Sequence, residues 1–388
     1  MRNCAALLCS LLLAACATAP APSITGQLFN DHLFAAPSAP ISASDVFAVS
    51  DAMKHYLGVD IAGELRAKGN QQGLVDALYR KGQLKLEYDS ALTRNAAQAF
   101  DARAGNCLSL VIMTAAMAKE LGLPVRYQNV VTDDSWSRTG DIYFSIGHVN
   151  LALGKKKTDV GFGRNESEVL IIDFLPATDI RARTRVLAED TIVAMYMNNR
   201  AVELFTDGQL SDAYWWAREA IRQDPRFLSA YNTLGVVYQR RGYFAEADRI
   251  FAHVLEREPA NTRAMSNQVA VLDALGRTAE ARALRDRLAR LEPDPPFSFF
   301  DRGLVAMREG DFKSARDLFA KEIAREAYYH EFHFWLALAY VGLGDIDHAR
   351  DQLALAVESS TTRSDRDRYA SKLDRIRAAT NPPIVRQR

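Results

Sequence analysis

The chain has 388 residues, enough for two or more domains with cores of their own, and its 48 Lys plus Arg balance 48 Asp plus Glu. That balance removes the electrostatic footprint expected of a nucleic-acid binder or of a protein held by acidic lipid alone. No zinc-ligand spacing, phosphate-cradling glycine loop or second membrane-length apolar run is present, so the sequence implies no metal and no cofactor.

The chain opens MRNCAALLCSLLLAACATAPAPS: Arg2, about ten apolar residues, then Leu13-Ala14-Ala15-Cys16. The apolar stretch is too short to span a bilayer and has the shape of a secretory signal. The LAAC box resembles the lipobox of bacterial lipoproteins, which implies cleavage of residues 1–15 and lipid attachment at Cys16, with a simple signal peptide as the alternative. For a Gram-negative host, Ala17 after the cysteine, in place of the aspartate that would suggest inner-membrane retention, implies an outer-membrane anchor with the protein facing the periplasm, and residues 16–41 are the lipidated start and tether.

Of four cysteines, Cys4 and Cys9 would leave with the signal and Cys16 would carry lipid, so Cys107 would remain as a lone thiol in an oxidising compartment. It stands in RAGNCLSLVIMTAAMAKEL, where Gly105-Asn106 leads into a long apolar run. This spacing predicts a helix starting at the sulfur, where unpaired N–H groups favour an anion. Simple burial of the thiol and a role in sensing oxidants are the competing readings.

Residues 42–190 read as one α+β domain. Ser42-Ala43-Ser44-Asp45 predicts a helix start before Val46, and further helices are expected around GLVDALYRKG and TRNAAQAFDA. Gly122-Leu123-Pro124 ends the Cys107 helix and VRYQNVVT follows as a strand. In SIGHVNLALG, Val149, Leu151 and Leu153 share one face while His148 and Asn150 share the other with Ile146. Lys155–Lys157 and GFGRNES predict a loop, and VLIIDFL a strand ending near Pro176. GFGRNES and the later GDIDHAR are turns rather than nucleotide or calcium sites.

Cys107, His148 and Asp173 follow one another as a Cys-His-Asp set. GNCLSLVIMTAAMAKELGLPVRY, HVNLAL and LIIDFLP together resemble the core of the transglutaminase-like superfamily, a branch of the papain-like fold. The helix ending at Gly122 and Pro124 and the basic Arg126 fit that family, whereas His148-Val149-Asn150 and Asp173-Phe174-Leu175-Pro176 depart from its usual His-Ala-Trp-Val and Asp-Pro. The resemblance implies Cys107 as nucleophile, His148 as general base and Asp173 as the group that fixes the imidazole. The oxyanion donors would be the Cys107 main-chain N–H and a side chain such as Gln98 or Asn106, the latter otherwise a helix cap. The expected chemistry is attack on a protein or peptide amide through an acyl-thioester, with water as the default acceptor and transamidation as the variant. A domain that keeps the fold without turnover is the alternative.

The C-terminal half repeats. Gly208, Gly242, Gly276, Gly310 and Gly344 fall 34 residues apart, and Ala213, Ala247, Ala281, Ala315 and Ala349 keep the same step, as do Pro225, Pro259 and Pro293. Thirty-four is the period of the tetratricopeptide repeat, and Tyr231, Leu234, Gly235, Tyr238, Ala247, Phe251 and Pro259 resemble that family position by position. Five units over 194–361 are expected, with a capping helix and tail over 363–388 and weak outer units. Arg200-Ala201, Ala327 and the polar Arg285 mark departures from the pattern. The overall expectation is an α+β transglutaminase-like domain followed by an all-α solenoid. Its concave face would carry Asn232, Gln239, Asn267, Phe300, Phe334 and Trp335 for a protein or peptide partner, unless the aromatics are packed internally.

Overall fold

The computed structural model describes residues 27–79, 84, 86–90, 92–139, 142–154, 169–174, 183–327 and 329–380, of which 130–139, 142–147, 183, 379 and 380 are described by main chain only. The expected signal, Cys16 and the loop over Lys155–Lys157 and GFGRNES lie outside the described residues. Among the described residues no helix is long and apolar enough to cross a membrane.

The first helix starts later than its sequence suggested. Ser42-Ala43-Ser44-Asp45 forms turns, and α1 is Asp51–His55 with the Ser50 side chain accepting from the Met53 N–H. The reason is long-range: the Val46 carbonyl accepts from the Ala96 N–H at 3.0 Å, so it cannot carry a helix forward. A single wide turn, Tyr56–Asp60, joins α1 to α2 (Ala62–Lys68), followed by α3 (Asn70–Tyr79) and α4 (Ala96–Ala102).

At the centre lies α5 (Cys107–Glu120), apolar on every side and buried from Cys107 to Ala118. A helix without a polar face must be wrapped by protein. It packs on α4 and on a four-stranded sheet of β3 (Val125–Thr139), β4 (Ile142–Leu153), β5 (Leu170–Ile172) and β6 (Arg183–Leu187). This numbering leaves β1 (Glu87–Tyr88) and β2 (Ala104–Gly105) for a small parallel pair ahead of α5. The sheet order is β5-β4-β3-β6, antiparallel throughout. Strand β6, with Arg183 and Arg185 among five residues, had no apolar alternation to announce it.

Ten helices in five pairs follow: α6 (Glu189–Thr206) with α7 (Leu210–Gln223), α8 (Leu228–Arg240) with α9 (Phe244–Arg257), α10 (Thr262–Ala274) with α11 (Thr278–Leu291), α12 (Ser298–Glu309) with α13 (Phe312–Arg325), and α14 (His330–Gly342) with α15 (Ile346–Glu358). The five phased glycines all end the first helix of a pair with φ between 72° and 81°, a left-handed turn that a Cβ resists. The five phased alanines are fully buried where the paired helices touch. A last helix, α16 (Arg363–Thr380), lays Tyr369 and Leu373 against Phe334 and Leu353.

One apolar core runs without interruption from Leu28 through the α/β domain to Val271, so the first repeats and the α/β domain share their interior. The core then breaks. Helix α11 buries only Ala281, and a separate cluster begins at Phe297, beyond Pro293, Pro295 and Pro296. The polar Arg285, bonded to Asp273 at 2.7 Å on the surface, stands where a stack needs hydrocarbon.

Both ends of this arc are tied down. Residues 27–38, expected as part of a free tether, are instead pinned to the first repeats. Phe34 stacks on Tyr214 with centroids 4.0 Å apart, Tyr238 Oη donates to the Leu28 carbonyl, Tyr214 Oη donates to Asp31 Oδ1, and Trp215 Nε1 donates to the Ala35 carbonyl. At the other end, the Ser90 main-chain N–H donates to the Thr361 carbonyl at 2.9 Å, joining the α/β domain to the turn before α16.

Candidate active site

The start of α5 is built by side chains that satisfy one another. Asn106 caps it: its Oδ1 accepts from the Ser109 N–H at 2.9 Å and from Ser109 Oγ at 2.8 Å, while its Nδ2 donates to Thr93 Oγ1. Ser109 Oγ in turn accepts from the Arg94 N–H. Thr93 donates its own N–H to Glu203 Oε1 at 2.6 Å, so the first repeat helix braces the loop that holds the cap. Burial raises the Glu203 carboxyl above its ordinary range, opposed by the Thr93 N–H and Arg200. Gly105 is required by proximity, since a Cβ there would lie 2.7 Å from Ser109 Cβ.

With its helix held in this way, Cys107 sits at the first helical position, buried, with its N–H outside the helical bonding pattern. His148 comes from β4 and Asp173 from the end of β5, strands brought side by side by the Leu151–Ile172 register. His148 Nε2 is 2.8 Å from Asp173 Oδ2, and Asn150 Nδ2, two residues along the same strand face, reaches the same oxygen at 3.3 Å. Asp173 is one-third exposed, whereas His148 is 5 % exposed. The Tyr79 hydroxyl donates to the Asp173 carbonyl, and the Tyr79 and Phe174 rings stack beside it.

His148 Nδ1 is buried with no hydrogen bond among the described residues. Burial alone would push the imidazole pKa down, but the Asp173 bond and the neighbouring Cys107 side chain outweigh it and raise the value to about 9. The Cys107 side chain thus stands close enough to act on the ring. Nε2 is committed to the carboxylate, which leaves Nδ1 as the nitrogen that can exchange a proton with sulfur. The arrangement supports nucleophilic attack by Cys107 with His148 as acid–base and Asp173 as its anchor.

The two side chains expected as oxyanion donors are placed elsewhere. Gln98 is exposed and closes the capping box of α4 with Asn95, its Oε1 accepting from the Asn95 N–H. Asn106 spends its amide on Thr93 and Ser109. Tyr88, which no sequence motif singled out, stands beside Cys107: burial and the Cys107 charge both raise its pKa, against the pull of the Cys107 N–H, which donates to the phenol oxygen. The alternation Leu84-Leu86-Tyr88 was the signal that could have marked its strand.

On the repeats, Asn267 Nδ2 donates to Asn232 Oδ1 at 3.0 Å, tying α10 to α8, and Gln239 is half-buried. Phe300 and Phe334, expected on the concave face, are buried: Phe300 packs among Phe297, Phe319 and Phe332, and Phe334 stacks on Tyr369. Trp335 is half-buried against both. These aromatics hold helices together, because the helical pairs after the break must build their own cores. Among the described residues no group of three or more His, Cys, Asp or Glu could hold a metal ion.

A model of the transglutaminase-like superfamily matches residues 59–159, a span that includes Cys107 and His148 and stops short of Asp173. Tetratricopeptide-repeat models match residues 227–257, 262–287 and 330–354. No match was found among curated proteins. Among solved structures, the chain is similar to a thermophilic tetratricopeptide-repeat protein of Thermus thermophilus, TTC0263, at 22% identity over 46% of this chain and 98% of that one, TM-score 0.29. It is also similar to YrrB, described as a TPR protein with an unusual peptide-binding site, at 21% identity over 46% and 92%, TM-score 0.25. Yeast Tom70 is similar at 15% identity over 48% of this chain and 40% of that chain, TM-score 0.33.

Proposed function

We propose that this chain, a transglutaminase-like domain followed by tetratricopeptide repeats, is a lipid-anchored thiol hydrolase that cleaves protein or peptide amides in the periplasm. The observation that carries the reading is the 2.8 Å His148–Asp173 bond beside a buried cysteine at a helix start. Cys107 Sγ attacks the amide carbonyl, the leaving amine takes a proton from His148 Nδ1, and an acyl-thioester remains. Water, deprotonated by the same nitrogen, then releases the acid. Water is the default acyl acceptor, and no sequence motif identifies an amine site to compete with it. The repeats supply a surface for the polypeptide that carries the scissile amide. The lipobox-like LAAC motif supports the anchor at Cys16.

The test is mass spectrometry of the full chain quenched during incubation with a pool of unfolded-protein peptides. An acyl adduct on Cys107 and new peptide carboxylates are expected, both lost in Cys107→Ala. Equal turnover by Cys107→Ala would end the proposal. The anchor is tested separately by metabolic labelling with a palmitate analogue, expected at Cys16 and absent in Cys16→Ala.

A further inference from the structure

Asp173 is the least enclosed member of the Cys107, His148 and Asp173 set. It lies one residue past the end of β5 and is one-third exposed, so its carboxylate has water within reach to turn to. A group that fixes an imidazole must itself be fixed. Tyr79 holds its main chain, the hydroxyl donating to the Asp173 carbonyl at 3.2 Å. The carboxylate is met by two donors on one oxygen: His148 Nε2 lies 2.8 Å and Asn150 Nδ2 3.3 Å from Oδ2. The strands place both. Alternation along β4 turns His148 and Asn150 to the same face, and one step beyond the Leu151–Ile172 pair Asn150 stands opposite Asp173.

Asn150 is 5 % exposed, and its Oδ1 is buried with no hydrogen bond among the described residues. The amide nitrogen must be the atom facing the carboxylate, since two oxygens would repel. A buried acceptor left unpaired costs stability, and an apolar side chain of the same shape would avoid that cost. Support of the sheet therefore does not explain an amide here. What an amide supplies, and an apolar residue cannot, is a donor that never titrates. His148 changes its proton count during turnover. Asn150 does not.

We propose that Asn150 is a positioning residue of this site, clamping Asp173 Oδ2 so that the carboxylate stays on His148 Nε2 while the imidazole gains and loses its other proton. The inference rests on the thiol-hydrolase reading above. When His148 Nδ1 takes the Cys107 proton, the imidazolium donates its Nε2–H to Oδ2 and that bond strengthens. When Nδ1 passes the proton to the leaving amine, the ring is neutral and the bond weakens, and the Asn150 N–H continues to hold the oxygen in place. No bond is made or broken at Asn150 and no proton leaves it. Its effect reaches sulfur through the ring, because an imidazolium with its counter-charge held in place stabilises the Cys107 thiolate.

The experiment uses the full chain, its fold followed by thermal melting, and two probes of the same sulfur. Iodoacetamide alkylates the thiolate, so its rate against pH gives the thiol midpoint, whereas p-nitrophenyl acetate reports acylation and turnover. Asn150→Leu nearly keeps the size and removes the donor together with the unpaired oxygen. Its melting temperature is expected within a few degrees of wild type. Its alkylation midpoint is expected to rise by about one pH unit, so that alkylation below both midpoints slows about tenfold. Asn150→Asp is the second variant. Two carboxyls this close share a proton at low pH, and that proton lets the new carboxyl donate to Asp173 in place of the amide. Its p-nitrophenyl acetate turnover is expected within about threefold of wild type near pH 5 and to fall away from it as pH rises and the two carboxylates repel.

An alkylation midpoint that stays or falls in folded Asn150→Leu overturns the role of Asn150, as does an Asn150→Asp to wild-type turnover ratio that does not change with pH. If Asn150→Leu fails to fold, the pH dependence of Asn150→Asp decides. Loss of the fold in both variants also overturns the role, because the amide would then be holding the sheet. The Asn150→Leu midpoint is read from alkylation alone, so it decides the clamp whether or not the chain turns over. Absence of Cys107-dependent p-nitrophenyl acetate turnover in wild type overturns the hydrolase reading instead.

Discussion

His148 Nε2 and Asp173 Oδ2 meet at 2.8 Å across two antiparallel strands, and that single bond decides which imidazole nitrogen faces the thiol. Asp173→Asn would keep the strand geometry while allowing the other tautomer. An activity loss of about 10³- to 10⁴-fold is expected, by analogy with carboxylate removal in serine triads. Measured kcat with KM nearly unchanged would check it, and a variant retaining a tenth of the wild-type kcat would contradict the assignment.

The same pair sets a pH dependence. In the folded protein the His148 pKa is raised from 6.5 to about 9, so the folded state holds its proton more tightly than the unfolded chain. The stabilisation is therefore complete below pH 6.5 and fades as pH rises through about 9, by an amount reaching about 3 kcal/mol. Denaturant unfolding at several pH values should show wild type losing stability across this window relative to His148→Asn. Activity should fall above about pH 9, where the leaving amine has no proton donor. A pH-independent difference between the two chains would refute the linkage.

Gly105→Ala should destabilise the α/β domain by about 1–3 kcal/mol, because the added methyl would meet Ser109 Cβ at 2.7 Å on a helix that cannot retreat. Thermal unfolding measures this. Acylation of Cys107 should slow as well, since Gly105 directly precedes the capping residue Asn106. No change in either quantity would show that the cap tolerates displacement.

Phe34→Ala removes the ring stacked on Tyr214 and should free residues 27–38 from the first repeats. Limited proteolysis is expected to cut before Ser50 at least tenfold faster, while p-nitrophenyl acetate acylation stays at the wild-type rate. Truncating a buried phenylalanine costs about 3–5 kcal/mol, enough to release a short docked segment. Unchanged protection would mean that the hydrogen bonds of Asn30, Asp31 and Ala35 suffice.

The α5 helix, its Gly122-Pro124 stop and the five repeat pairs were legible in the chain because each is written in local spacing. The capping roles of Asn95 and Gln98, and the burial of Phe300 and Phe334, depended on register and on which helix came next. Val46 failed as a helix start because its carbonyl answers to Ala96, fifty positions along the chain. Tyr88 was hidden for a related reason: its meaning lies in a two-residue pairing with Ala104-Gly105 that no periodicity advertises. Phe34 lay in a stretch whose composition suggested a linker, and only the aromatic lining of the first repeats gives it a place. The open seam after α11 was foreshadowed by Arg285, a charge where stacking wants an apolar side chain.

Ser90→Pro deletes both donors that reach the Thr361 carbonyl, the main-chain N–H and the Oγ hydroxyl. Small-angle scattering of this variant should show a larger radius of gyration, with the melting temperature within a few degrees of wild type. An unaltered scattering curve would show that the two ends stay together without these two bonds.

A stack of repeats adds up small rotations, so its tip moves farther than any one joint. Here the tip is fastened to the α/β domain at Ser90, two residues beyond Tyr88, and the slack in between is the proline-rich elbow after α11. Closed at both ends, the array could not change its curve without loading the Ser90–Thr361 contact, two residues from Tyr88.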